Sequence, residues 1–180
     1  MANLKLKSIV ELLKEEWELP EYKNSSESEQ WCIDDAIIVG EILNASGDTF
    51  PYTGQKGWYE YYDSKNNLFF ARLTYQPTKN PFFEFKLGWY KNNDQQTPVY
   101  DPSLPDNVTS LDVHKRSNTV AKIYRDEIIP FFLKQKMSDT IALQPISVSR
   151  YKFAIRMVKK FTPDELKIEE HPFKTILVKK

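Results

Sequence analysis

The chain has 180 residues with equal numbers of acidic and basic side chains, so its formal net charge at pH 7 is zero. Hydrophobic residues make up 41% and aromatic residues 14%, which argues against a disordered chain and predicts one packed domain over residues 1–180. A single cysteine, Cys32, excludes an intrachain disulfide, and with only two histidines there is no ligand set for a structural zinc site.

The first residues predict a helix rather than a targeting segment. Ser8 and Glu11 form a capping box, apolar residues follow at helical spacing, and Pro20 ends a helix predicted over 8–19. Neither a signal-peptide core nor a membrane-spanning run is present, so we expect a protein that is not secreted, has no membrane partner and works in a cytoplasm. Residues 31–44 fit either a buried strand or a helix, with a slight preference for a helix.

The middle of the chain predicts an antiparallel β-meander over residues 57–91. Three strand-like segments, 58–62, 68–75 and 82–90, are separated by turns rich in Asp, Asn, Ser and Pro. In the third segment, aromatic and aliphatic residues alternate with Glu84, Lys86 and Gly88, which predicts one face on a core. The residues from Lys91 to Pro105 read as a loop.

The last third predicts a β-α-β-α unit over 108–161 and a final strand over 173–178. Its first helix is expected to start at Ser117 or Asn118, to run to about Gln135 and to kink at Pro130. The remaining predicted elements are a strand over 140–146, a helix over 149–161 and a short helical turn at 162–165. The whole predicts an α+β fold: an antiparallel or mixed sheet of about five to six strands with helices mainly on one face.

The charges are distributed unevenly along the chain. Residues 1–110 contain 10 Lys+Arg and 17 Asp+Glu, whereas residues 111–180 contain 15 and 8. Either the two halves pack together and compensate, or a basic face is exposed to an anionic partner such as nucleic acid. The last long helix carries a candidate interaction surface of basic residues, with a solvated face as the alternative: Arg150, Lys152, Arg156, Lys159 and Lys160.

The residues alone assign neither a catalytic set nor a metal site. Asp63 with Glu84-x-Lys86 loosely matches the carboxylates and lysine of metal-dependent nucleases, but the pattern is short and common in strands. A predicted helix start could hold a phosphate through its unpaired amides, with ordinary capping as the alternative. These candidate binding residues are Arg116, Ser117, Asn118 and Thr119.

Three segments resemble a family of uncharacterised tailed-phage proteins: NTVAKIY at 118–124, IIPFF at 128–132 and SRYKF at 149–153. The resemblance implies a phage-encoded accessory or virion protein, located in the host cytoplasm or the virion. It implies function by binding a phage or host protein, without a cofactor and without an established activity.

The segment RSNTVA at 116–121, with its surrounding elements, is similar to the core of GNAT-type acetyltransferases. These enzymes place a strand, a glycine-containing turn, a helix, a strand and a second helix in this order, and the turn binds the pyrophosphate of acetyl-CoA. Arg116 and Ala121 match the turn, and Thr119 occupies the position of its central glycine. The resemblance implies acyl transfer from acetyl-CoA as an alternative function, and nucleic-acid binding by the basic C-terminal half is a second alternative.

Overall fold

The fold is taken from a computed structural model that describes residues 43–100, 105, 108, 110–145, 148–172 and 175–180. The predicted helix over 8–19 and residues 31–42 lie outside this range. The strands are β1 Tyr52–Gln55, β2 Trp58–Tyr62, β3 Leu68–Gln76, β4 Phe82–Tyr90, β5 Pro98–Tyr100, β6 Thr140–Leu143, β7 Lys167–His171 and β8 Thr175–Lys179. The helices are α1 Ser110–Ile123, α2 Ile129–Lys134 and α3 Val148–Phe161.

The described strands form one mixed sheet in the order β1-β2-β3-β4-β6-β8-β7. The predicted meander is confirmed, because β2, β3 and β4 pair antiparallel in sequence order. Helices α1 and α2 connect β4 to β6, which pairs with it in parallel. The predicted α+β class is therefore confirmed, and the sheet has eight strands in the described part of the chain because β1, β5 and β7 were not predicted.

The helices pack on one face of the sheet, which we call the helix face. Phe83 contacts Phe131 and Phe132 with ring centroids 5.9 and 6.5 Å apart, and Phe85 contacts Tyr124 at 5.9 Å. Side chains alternate along a strand, so the residues between these phenylalanines lie on the opposite, outer face. The main core is therefore the layer between the meander and the helices.

Two strands share one edge of β4. Strand β3 pairs with β4 along its whole length, which leaves a single free edge. On that edge β6 pairs with Phe83–Phe85, and β5 pairs with Gly88–Tyr90. No described strand pairs with this edge at Lys86 and Leu87.

The predicted strand over 108–113 is wrong, because α1 already includes Ser110. Val113, Ser117 and Val120, which recur at helical spacing, are among its buried residues. Ser117 therefore lies inside a helix, where its hydroxyl donates to the Val113 carbonyl oxygen at 2.9 Å. An apolar pattern as short as the one around Val113 fits a strand as well as a buried helical turn.

The predicted long helix is interrupted before Pro130. A π-helical turn spans Tyr124–Ile128, and the Ile129 amide donates to the Tyr124 carbonyl oxygen five residues back. Pro130 then lies in the first turn of α2. Backbone amides there have no hydrogen-bond partner within the helix, so the missing amide hydrogen of proline costs no helical hydrogen bond. The change of register one turn earlier thus accommodates the proline.

The chain after α3 also differs from prediction. The predicted helical turn at 162–165 is wrong: residues 163–166 form a turn, closed by a bond from the Leu166 amide to the Pro163 carbonyl oxygen. Lys167–His171 then forms β7 and pairs with β8, which overlaps the predicted final strand. The sequence at Thr162 is typical of a helix start, but no helix forms there because the residues that follow pair with a sheet edge.

Gly88→Ala tests the close approach of β5 to β4. An added Cβ would lie 2.5 Å from the Phe70 Cζ and 2.5 Å from the Val99 carbonyl oxygen, so one of them must move. We expect the free energy of unfolding, measured in urea, to fall by about 1–3 kcal/mol. Thr74→Ala, at an exposed position on the neighbouring strand, is the control and should cost less. Equal stability of Gly88→Ala and the parent would contradict this packing.

Candidate functional site

A cavity of about 340 Å³ lies where β4 and β6 diverge. Their parallel pairing ends at Phe85 and Leu143, after which the chain leaves the sheet towards α3. Tyr100 of β5 bounds the cavity on the other side. Sheets with parallel strands commonly bind ligands at the carboxyl ends of those strands, and this volume is that of a small-molecule site.

The cavity is lined from both faces of the sheet. Glu84 and Lys86 lie on the outer face of β4, whereas Phe85 and Leu87 alternate with them on the helix face. On the helix side, α3 supplies an apolar wall of Phe153, Ala154 and Met157. The cavity therefore has an apolar side towards the helices and a polar side towards the outer face.

The polar side is built around Glu84. Its Oε2 accepts a hydrogen bond from the Gln76 Nε2 at 3.1 Å and lies 3.2 Å from the Lys86 Nζ. The Lys86 ammonium is also 5.4 Å from the Tyr100 ring centroid. The Glu84 side chain is 17% exposed and the Lys86 side chain 37%, so both remain accessible from the cavity. A carboxylate held in this way can attract an ammonium group and accept a proton from it.

Arg150, in the first turn of α3, also lines the cavity. The residue is 5% exposed, and the first turn contains no acidic residue. The unpaired amides at a helix amino end favour negative charge, and the guanidinium adds to this preference. The cavity beside Arg150 is therefore electrostatically suited to an anionic group.

The basic residues predicted as one interaction surface on α3 do not form one free face. Arg150 precedes Lys152 by two residues, a rotation of about 200°, so it lies on the other side of the helix. The Lys159 Nζ is 2.7 Å from the Glu170 Oε1, and the Lys160 Nζ donates to the Leu43 carbonyl oxygen.

The surroundings of α3 shift the pKa values of two of its residues, Lys152 and Tyr151. Burial and the neighbouring Arg156 lower the pKa of Lys152, which is half-buried. The Tyr151 hydroxyl donates to the Glu170 Oε2 at 3.0 Å, and burial together with this carboxylate raises the Tyr151 pKa. Among the predicted surface residues that the structure describes, Arg156 is exposed, whereas Lys159 and Lys160 contact Glu170 and Leu43, so the expected stripe is reduced mainly to Arg156.

The residues predicted to hold a phosphate are buried in the middle of α1. The structure places Arg116, Ser117, Asn118 and Thr119 at 4, 6, 7 and 0% exposure. The predicted helix start at this position is wrong, and amides inside a helix are bonded to the preceding turn instead of to an anion. The geometry on which a pyrophosphate site at 116–119 depended is therefore missing.

Asn118 and Thr119 instead fasten the segment 43–50 to α1. The Asn118 Oδ1 accepts from the Asn44 amide at 2.9 Å, and the Thr119 Oγ1 accepts from the Phe50 amide at 2.7 Å. Arg116 packs its guanidinium 4.8 Å from the Phe69 ring centroid. These side chains therefore have structural contacts within the domain.

The loose nuclease pattern is not assembled. The Asp63 carboxylate accepts from the Lys65 and Asn67 amides and closes the turn between β2 and β3. Asp63 adjoins the pair Tyr62–Leu68, whereas Glu84 pairs with Thr74, six residues further along β3 and roughly 20 Å away. Within the described residues, no group of three potential metal ligands occurs. Over the same residues, no helix is both long and apolar enough to cross a membrane.

Sequence reasoning identified Glu84 and Lys86 but missed the rest of the cavity. Gln144 and Pro145 at the end of β6, and Ala154 and Met157 on α3, carry no pattern that marks a site. Their proximity to Glu84 depends on the parallel pairing of β4 with β6, which is a long-range contact. The alternation along residues 82–90 was the one available signal, because it placed Glu84 and Lys86 on the face away from the core.

Thr119→Val tests the attachment of segment 43–50. Valine has the shape of threonine but leaves the buried Phe50 amide without its acceptor, so we expect a loss of about 1–3 kcal/mol in the free energy of unfolding. Amide hydrogen exchange at Phe50 should accelerate as well. Thr119→Ser, which keeps the hydroxyl, is the matched control and should preserve the slow exchange. The same exchange rate in both variants would refute the assignment.

Comparison of the chain with protein-family models, with curated proteins and with solved structures gave no match. The resemblances to phage proteins and to acetyltransferases therefore stay predictions, and the site is interpreted from its own geometry.

Proposed function

We propose that the protein is an acyltransferase that binds acetyl-CoA in the cavity between β4 and β6. The observation that carries this proposal is the cavity at the divergence of two parallel strands, lined by the Glu84 carboxylate and by Arg150 in the first turn of α3. Along the chain β4 is followed by the short strand β5, then by α1 and α2, then by β6 and α3; apart from β5 this is the order of strand, helix, strand and helix on which the resemblance to GNAT-type enzymes rests. β4 then replaces residues 108–113 as the first strand.

The open edge of β4 suits a linear ligand with amide groups. At Lys86 and Leu87 the edge lacks a described partner strand, and a strand edge offers alternating donors and acceptors. The pantetheine arm of coenzyme A is linear and contains two amides, so it can pair with such an edge. A cavity of about 340 Å³ suits this arm with its acyl group and leaves the nucleotide outside.

Glu84 is the residue we assign to proton transfer. An amine acceptor arrives as an ammonium ion, and loss of a proton to the Glu84 carboxylate makes its nitrogen a nucleophile. The nitrogen attacks the thioester carbonyl carbon, the new C–N bond forms, and the C–S bond breaks. As the amide forms, the nitrogen loses a second proton, which protonates the departing thiolate to coenzyme A, and Glu84 releases the first proton to solvent. The Lys86 Nζ lies 3.2 Å from the Glu84 Oε2 and helps to hold this side chain in place.

A second candidate is the macromolecular binding that the phage resemblance implies, in which the protein acts on a phage or host partner without catalysis. The observation that favours it is the exposure of Trp58 and Tyr62 on the outer face. Nucleic-acid binding by the basic half has less support, because Lys159 and Lys160 already have partners within the domain.

Ala154→Phe tests the cavity as the acetyl-CoA site. Ala154 is buried in the cavity wall, so a phenyl ring there should fill the space that the pantetheine arm needs. In thermal unfolding, we expect acetyl-CoA to raise the Tm of the parent in a concentration-dependent way. The Tm of Ala154→Phe should not change when acetyl-CoA is added. Arg156→Ala, exposed on another side of the same helix, is the matched control and should keep the shift. A parent Tm that does not respond to saturating acetyl-CoA would remove the proposal.

Glu84→Gln separates binding from chemistry. Glutamine keeps the size of the side chain but cannot accept the proton, so acetyl-CoA should still raise the Tm while acyl transfer falls by about 10²–10⁴-fold. Release of free coenzyme A thiol in the presence of an amine measures the transfer. Transfer at the parental rate would show that Glu84 is not the base.

A further inference from the structure

The cavity between β4 and β6 has an open side and a closed side. Of the residues that line it, Tyr100 is 40% exposed and Gln144 is exposed, so the mouth of the cavity lies beside them. Ala154 and Met157 also line the cavity, and they are 6% and 0% exposed. We call the part of the cavity at Met157 the closed end. A ligand that enters past Tyr100 therefore ends against side chains that solvent does not reach.

The closed end is apolar on both the strand side and the helix side. The strands contribute two buried residues and α3 contributes three, none of which is charged or forms strong hydrogen bonds: Phe85, Leu143, Phe153, Ala154 and Met157. Water makes few hydrogen bonds in such a space, and apolar cavities in proteins bind apolar molecules. The closed end therefore suits a hydrocarbon group.

The side chains of α3 leave space at the closed end and can adapt to what fills it. Ala154 has a small side chain and lies between the large side chains of Phe153 and Met157 in the wall. Met157 is about 5 Å further along the helix axis than Ala154. Its unbranched thioether side chain is flexible and packs against groups of different shape. Chains of more than one length can therefore end against Met157.

The acyl group is the part of a bound acyl-CoA that reaches the closed end. The nucleotide stays outside, so the pantetheine arm extends inwards from the mouth and brings the thioester to Glu84. The chain beyond the thioester then continues towards the helix side of the cavity. An acetyl group contributes a single methyl there and leaves apolar space unfilled. Each further methylene that moves from water into this space should increase the affinity about three- to fourfold.

We infer that the acyl group of the substrate is an uncharged chain longer than acetyl, such as butanoyl or hexanoyl, whose end packs against Met157. This inference rests on the proposed function, because it names the acyl group that the same site receives. Acetyl-CoA is then the weakest ligand of a series. A chain that ends in a carboxylate is disfavoured, because its charge would be buried against Phe153 and Met157.

Binding of four acyl-CoA thioesters tests the inference without an acceptor. The probes are acetyl-, butanoyl-, hexanoyl- and succinyl-CoA, and titration calorimetry gives a Kd for each. We expect the Kd to fall by about tenfold or more from acetyl- to butanoyl-CoA, and to fall again for hexanoyl-CoA. Succinyl-CoA has the chain length of butanoyl-CoA and adds a carboxylate, so it should bind more weakly than butanoyl-CoA.

Truncation of Met157 tests the position of the chain end. Met157→Ala enlarges the closed end, so octanoyl-CoA should become the tightest ligand in this variant. Met157→Val is a smaller truncation, which should shift the preference in the same direction and replaces Met157→Ala if that variant does not fold. Val158→Ala is the matched control, because Val158 is also 0% exposed on α3 but does not line the cavity. It should keep the parental order of affinities.

The outcomes separate the inference from the proposed function. Equal affinity for all chain lengths, or tightest binding of acetyl- or succinyl-CoA, overturns the inference and leaves the cofactor site standing. An unchanged order of affinities in the truncated Met157 variant also overturns it. So does a dependence on chain length that persists in Ala154→Phe, because the chain would then bind outside the cavity. If none of the thioesters binds, the proposed function and the inference both fail.

Discussion

The parallel pairing of β4 with β6 is the contact on which the rest of the structure depends. It is three residues long, from Phe83–Ile141 to Phe85–Leu143. It joins the antiparallel meander to the C-terminal strands, and it requires the connection through α1 and α2 that covers the helix face. A longer pairing would close the sheet beside Lys86 and Leu87, and the cavity would then have no space. The short register therefore determines both the continuity of the sheet and the position of the site.

Local patterns predicted the elements whose contacts are close in sequence. The meander is defined by turns and by the alternation along residues 82–90, and both signals act over a few residues. The strand at 108–113 failed because Val113 and its neighbours suit a buried helix turn as well as a strand, and only packing against the sheet decides between them. Strands β1, β5 and β7 are short, and a short strand forms when a partner edge is present rather than from its own propensity.

The candidate site could be predicted only in part for the same reason. Glu84 and Lys86 were visible because they interrupt an apolar alternation, whereas Ala154 and Met157 look like ordinary residues of an amphipathic helix. Conversely, the polar residues Asn118 and Thr119 were predicted to bind a phosphate, and in the structure they make contacts within the domain instead. Their types are those of a helix cap, but their partners are the amides of Asn44 and Phe50, more than 60 residues earlier in the chain. Side chains that form hydrogen bonds with distant backbone groups are of the same residue types as helix caps, so the sequence alone does not distinguish the two roles.

The edge of β4 that β5 and β6 share affects the solubility of the protein and the sequence changes that it tolerates. An uncovered strand edge promotes pairing between molecules, and here β5 and β6 shield nearly all of this one. The part of the edge that no described strand pairs with is only two residues long, too short to nucleate association with another chain. Because β5 belongs to a segment outside the main core, insertions or deletions around it could lengthen or shorten the opening while the core remained intact. Homologous chains could thus accommodate ligands of different length through changes in one surface strand.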